Sequence, residues 1–190
     1  TEYKKFSFND ITDYEVLNES IESNSDIILI ASSSTKSGVA KTCAIATRIK
    51  DSNPTVSVSI FGYPEWQTYT DDHLANFFEL DTYFYSSFYT NNLFPAAIQF
   101  TNAYRKWFSK DMANTFPKYG MLGFDTAYFF LKGLNDYGSN FEDQVKQMQV
   151  TPIQTGFKFD RVNNWGGFIN RKVFFVNFTK NYELIKLDFE

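Results

Sequence analysis

Asp26-Ile27-Ile28-Leu29-Ile30-Ala31 followed by Ser32-Ser33-Ser34-Thr35-Lys36-Ser37-Gly38 is the stretch that decides the fold. The apolar run is β-branched, unbroken and too short for a helix, so it predicts a strand buried on both faces. The residues after it are small or polar apart from Lys36, as a loop entering a helix should be. From Val39, the apolar residues Val39, Cys43, Ala46 and Ile49 recur at helical spacing, while Lys36, Lys41, Arg48 and Lys50 fall mostly elsewhere. Asn53-Pro54 stops that helix, and Val56 to Phe61 reads as a second strand ending at Gly62-Tyr63-Pro64-Glu65-Trp66. Strand, crossover helix and strand of these lengths make a right-handed unit with parallel strands. Ligands of such sheets bind beyond the carboxyl ends of the strands, which singles out the loops Ser32 to Ser37 and Gly62 to Gln67.

Outward from this unit, Tyr3 to Phe8 alternates as a strand, and Ile11 to Ser23 carries Ile11, Tyr14, Leu17 and Ile21 on one helical face. A short helix is expected near Asp71 to Phe78 and a strand near Tyr83 to Phe88. The order is that of an α/β fold, a Rossmann-like parallel sheet flanked by helices. The texture then changes. Pro95 opens a helix running to about Asp111, with Ala97, Phe100, Tyr104, Trp107 and Phe108 on one stripe. A second helix is expected from Phe124 to Tyr137, with Asp125 as its cap and Phe124, Ala127, Tyr128, Leu131 and Leu134 as its stripe. Phe129 and Phe130 lie off that stripe, so this helix expects partners on more than one side. A weaker helix covers Phe141 to Met148. Strands follow at Gly156 to Asp160, Arg171 to Phe178 and Tyr182 to Phe189, the last two forming an antiparallel hairpin around Thr179-Lys180-Asn181.

The 190 residues are 43% hydrophobic and 21% charged, the balance of a soluble globular chain. No apolar run approaches the roughly 20 residues of a membrane helix. A net charge of -4 without a Lys/Arg cluster argues against nucleic acid as a partner. Aromatic residues make up 19%, which fits either a surface that stacks on sugars or peptides, or a genome rich in Phe, Tyr and Asn codons. The lone Cys43 excludes an internal disulfide and reads as a buried thiol. The chain opens at Thr1-Glu2 without a signal peptide and almost directly into a strand, which reads as a piece of something longer.

Catalytic and metal motifs fail. Gly38-Val39-Ala40-Lys41-Thr42 lacks the glycine directly before lysine that a phosphate loop needs. His73 is the single histidine, and no nucleophile elbow accompanies it. Asp71, Asp72 and His73 cannot all face one ion from a helix, and acidic residues at a helix start answer its dipole. No cofactor is implied, and the chain reads as no enzyme.

The loops after Ala31 and Phe61, the segment Tyr119-Gly120-Met121-Leu122-Gly123-Phe124-Asp125-Thr126-Ala127, and Gly156-Phe157-Lys158-Phe159-Asp160 with Gly166-Gly167 together carry a resemblance. The chain resembles the type 1 periplasmic binding fold, and within it the leucine/isoleucine/valine receptors. It is most similar to the C-terminal region of bacterial envelope proteins that carry a LysM repeat. The resemblance implies a partial fold of that type, with residues 1–90 and 154–190 in one lobe and residues 91–153 forming the helical part of the other. It places Ser33, Ser34 and Thr35 where amino-acid receptors contact a ligand, and Glu65 where they hold a ligand ammonium, with Tyr63 as one extra residue in that loop. An aromatic wall from Tyr63 or Trp66 would cover the ligand's side chain.

Two functions compete. One is a non-enzymatic, transport-type ligand-binding module of the periplasm or cell envelope, taking an amino acid, a peptide or a peptidoglycan fragment. The other is an interaction domain with a degenerate pocket in peptidoglycan metabolism, partnered by an envelope protein. The helices between Pro95 and Met148 are expected to pack on another chain, a homodimer being one form of this, or on the sheet in an unusual way, because they would otherwise leave Trp107, Phe129 and Phe130 as an exposed apolar patch.

Overall fold

The computed structural model describes residues 11–163 and 165–188, and the strand expected over residues 3–8 lies outside them. Helix α1 (Ile11–Glu19), strand β1 (Asp26–Ile30), helix α2 (Lys36–Ser52) and strand β2 (Ser57–Gly62) follow the expected alternation. A 3-10 helix over Pro64–Tyr69 then leads into α3 (Thr70–Glu79) and β3 (Thr82–Ser86). The strands β1 and β2 are parallel, with Ile27 beside Val58 and Leu29 beside Ile60, and β3 joins β2 in parallel through Ile60 to Gly62. Helices α4 (Pro95–Phe108), α5 (Tyr119–Tyr137) and the short α6 (Phe141–Gln144) come next. Strands β4 (Phe159–Arg161) and β5 (Phe168–Asn170) form an antiparallel pair. Last come β6 (Phe174–Phe178) and β7 (Leu184–Asp188), the C-terminal antiparallel hairpin, and the five-stranded mixed sheet has the order β1-β2-β3-β6-β7. The fold is therefore α/β, with its parallel strands flanked by helices.

Expectations for β1, α5 and the strand from Arg171 need correcting. Strand β1 is not buried on both faces: Ile28 and Ile30 are exposed, and among the described strands only β2 borders it. Helix α5 begins five residues earlier than expected, so Asp125 lies inside it instead of capping it. The apolar residues from Arg171 to Phe178 do not form one strand, since Asn170 ends β5 and Phe174 starts β6.

By compactness the chain divides into two units, Thr1–Phe84 with Asn177–Ile185, and Tyr85–Val176 with Lys186–Glu190. In the first, α2 buries Val39, Cys43, Ala46 and Ile49, and β2 buries Val58 and Ile60. A fully buried aliphatic side chain contributes about 1.5 to 3 kcal/mol, so this single stripe accounts for much of the α2 docking energy. Beside it, Trp66 stacks on Phe77, and Phe77, Phe84 and Phe178 meet edge to face with ring centroids 5.3 to 5.8 Å apart. The Tyr14 hydroxyl ties α1 to α2 by donating to the Arg48 carbonyl at 3.1 Å.

In the second unit, Ala97 of α4, Met121 of α5 and Ile153 share a small core. Phe129 is buried against Phe157 and Phe159, with centroids 4.5 and 5.2 Å away. Of the three residues named for an apolar patch, Phe129 is thus covered within the chain, whereas Trp107 and Phe130 are exposed.

Candidate functional site

Because β1 and β2 are neighbouring parallel strands, their carboxyl ends share one edge of the sheet, and the loops Ser32 to Thr35 and Tyr63 to Trp66 leave from it. The first loop is ordered by its own hydroxyls. Thr35 caps α2, its Oγ1 accepting the Gly38 N–H at 3.2 Å. The same oxygen lies 2.9 Å from Ser33 Oγ and 3.2 Å from Ser37 Oγ, and Ser33 Oγ also accepts the Thr35 N–H at 3.3 Å. Gly38 permits this tight winding, since a Cβ there would lie 2.7 Å from the Ser33 side chain.

The second loop is a 3-10 turn opened by Pro64, with half-buried Tyr63 at its cap and exposed Glu65 in its first turn. The turn is closed by Thr68, whose hydroxyl donates to the Glu65 carbonyl at 2.7 Å. Trp66 joins the two loops: its indole N–H donates to the Ser33 carbonyl at 3.3 Å. Its ring is fully buried on Phe77 and Phe84, so it belongs to the core and offers no face as a ligand wall. Of the sequence-derived residues, Ser33, Thr35 and Trp66 are thus joined by hydrogen bonds, Ser34 and Tyr63 are half-buried, and Glu65 is open to solvent.

Electrostatically, the edge is shaped by an ion pair. Lys36 in the first turn of α2 meets Asp72 in the first turn of α3 at 2.6 Å. The hydrogen bond between them raises the Lys36 ammonium above its ordinary value and lowers the Asp72 carboxyl below its own. Asp72 favours a helix start and Lys36 opposes one, so the pair cancels a mismatch with the helix dipole. Asp81 is likewise engaged, accepting from the Ser59 hydroxyl at 3.2 Å. Among the described residues, no three His, Cys, Asp or Glu side chains gather as a metal site, and no helix is long and apolar enough to cross a membrane.

A second polar centre escaped sequence reasoning. Inside α5, buried Asp125 accepts the backbone N–H groups of Ile153, Gln154 and Thr155, each at 2.8 Å. Gln154 Oε1 accepts the Lys118 N–H at 2.9 Å, and the Gln154 carbonyl accepts the Tyr89 N–H at the same distance. The segments around Tyr89, Lys118 and Gln154 are therefore knotted by one carboxylate and one amide. The arrangement satisfies backbone donors and leaves the carboxylate no open side, so its role is structural. Nearby, a cleft of about 400 Å³ is lined by Asn102, Arg105, Asp111, Met112, Lys118 and Met121.

In fold, the chain is similar to the crystal structure of a branched chain amino acid ABC transporter periplasmic ligand-binding protein from Burkholderia xenovorans LB400. The TM-score is 0.39 at 10% identity, over 93% of this chain and 62% of that one, so this chain spans less than two thirds of that protein's length. No protein-family model matches the chain, and no curated protein matches it in sequence.

Proposed function

We propose that the chain is a non-enzymatic ligand-binding module that holds a small ligand at the carboxyl edge of β1 and β2. The observation that carries this reading is the bond from Trp66 to the Ser33 carbonyl, which fixes one loop to the other. In the proposal, Ser33, Ser34 and Thr35 offer hydroxyls and the α2 N-terminus to a ligand carboxylate. Glu65 offers a carboxylate to a ligand ammonium, and Tyr63 offers an aromatic face. An amino acid, a short peptide or a cell-wall fragment has this polarity. The bacterial envelope, in a protein that also carries a LysM repeat, is the setting the proposal gives it.

The test is a thermal-shift screen of amino acids and muropeptides, followed by calorimetry on wild type and Glu65→Gln with each hit. Loss of one charge-assisted hydrogen bond should weaken binding by roughly 10-fold to 100-fold. Equal affinities would remove Glu65 from the site. An empty screen would favour the second reading, an interaction domain, which the exposed aromatic residues of α4 and α5 support independently.

A further inference from the structure

Helices α4 and α5 turn an apolar face away from their own core. On α5, Phe124, Tyr128, Leu131 and Leu134 are exposed. With Ala127 they follow the alternating three- and four-residue spacing of a helix-helix seam. On α4, Trp107 is 80% exposed and Phe108 is 59% exposed.

Ring contacts make these one strip. Phe108 lies 4.6 Å from Tyr104, Phe100 lies 5.1 Å from Phe124, and Phe124 stacks on Tyr128 at 6.1 Å, with Tyr104 and Phe100 themselves 6.4 Å apart. The whole strip lies within the second unit. From the usual areas of such side chains and these exposures, six residues present roughly 700 Å². That exceeds the few hundred Å² common on monomers and approaches the about 800 Å² that each partner gives a standard interface.

The area of the strip and the charges beside it indicate what covers it. Arg105 is paired with Asp111, and Lys132 with Asp136 at 2.6 Å, so these two cations are neutralised within the chain, while Lys106 and Lys110 stand exposed around the end of α4. The strip is apolar over nearly the area that one partner gives a standard interface, and a two-fold fit of such a face to its own copy needs no charged complement. We infer that this face is a two-fold homodimer interface. The α4 and α5 pair of one copy lies on the same pair of the other, giving a four-helix layer with Trp107 and Leu131 as its buried anchors. This inference is independent of the ligand reading.

Sedimentation equilibrium on the whole chain over about 1 to 100 µM tests it, with Leu131→Glu, Trp107→Glu and, as a control on α1, Val16→Glu. Wild type and Val16→Glu are expected to dimerise alike, and each strip variant to dimerise at least about 30-fold more weakly, the effect of losing an interface anchor. Both strip residues are exposed, so melting curves at low concentration should stay close to wild type; should one variant misfold, the other still decides. A monomeric wild type at about 100 µM, or a dimer indifferent to both substitutions, overturns the proposal.

Discussion

Helices α2 and α5 put their apolar residues to opposite uses. In α2 the apolar stripe Val39, Cys43, Ala46, Ile49 is the buried stripe, as its helical spacing predicts. In α5 the buried positions are Met121, Asp125, Phe129 and Gly133, one at every fourth residue, while Phe124, Tyr128, Leu131 and Leu134 face outward. Burial on α5 is set by what its inner face must bind and admit. Asp125 is inside because three backbone N–H groups need an acceptor there. Gly133 is inside because the Phe141 ring lies so close that a Cβ would sit 2.1 Å from it. Hydrophobicity locates a core only where the core is made of hydrophobic contacts.

The largest effect expected from breaking this contrast comes from Asp125→Ala. It strands the buried donors of Ile153, Gln154 and Thr155, each of which costs about 1 to 3 kcal/mol when unsatisfied. Some relaxation and water entry will offset part of that, so a loss of roughly 3 to 5 kcal/mol is expected in urea unfolding. Asp125→Asn keeps one acceptor oxygen and should fall between the two. If Asp125→Ala were as stable as wild type, the carboxylate would not be what positions α5.

A pH titration sharpens the α2 side of the comparison. Burial pushes the Cys43 thiol up from 9.0 to about 11. Below pH 9 the thiol is neutral in both folded and unfolded chains, and its burial carries no penalty. As pH rises from 9 towards 11, the unfolded chain loses the proton first, so stability falls across that window by roughly 2 kcal/mol. Urea midpoints measured at about pH 8 and 10.5 should therefore diverge more for wild type than for Cys43→Ala. The difference between the two proteins isolates Cys43 from the other groups that titrate there.

These cases mark how far the sequence could be read. The β1-α2-β2 unit was legible because its signals are local: a β-branched run, a polar loop, helical spacing, and Asn53, whose N–H indeed closes the helix on the Ile49 carbonyl at 3.0 Å. The parallel sheet and the C-terminal hairpin followed from the same kind of signal. Asp125 was misread because an aspartate before an apolar run usually caps a helix, whereas its real partners lie 28 to 30 residues downstream. At the candidate site, hydroxyl-rich Ser33 to Thr35 could be recognised as a loop at a strand end. The inward turn of Trp66 could not, because it depends on Phe77 and Phe84, which the sequence does not place beside it.

The smallest expected effect bears on the loop where the two readings of the site meet. Thr35 caps α2 through the Gly38 N–H and also holds the hydroxyls of Ser33 and Ser37. Thr35→Ala removes a side-chain acceptor from a helix start that remains solvent-exposed, so water replaces part of what is lost. A cost of about 1 kcal/mol is expected, and Thr35→Ser, which keeps the oxygen, should recover most of it. Thermal unfolding without ligand measures this structural share. Calorimetry on the same three proteins then measures the rest: if Thr35 contacts the ligand, Thr35→Ala weakens binding by more than its stability loss explains, and Thr35→Ser does not. Equal binding by all three would leave Thr35 as a helix cap alone.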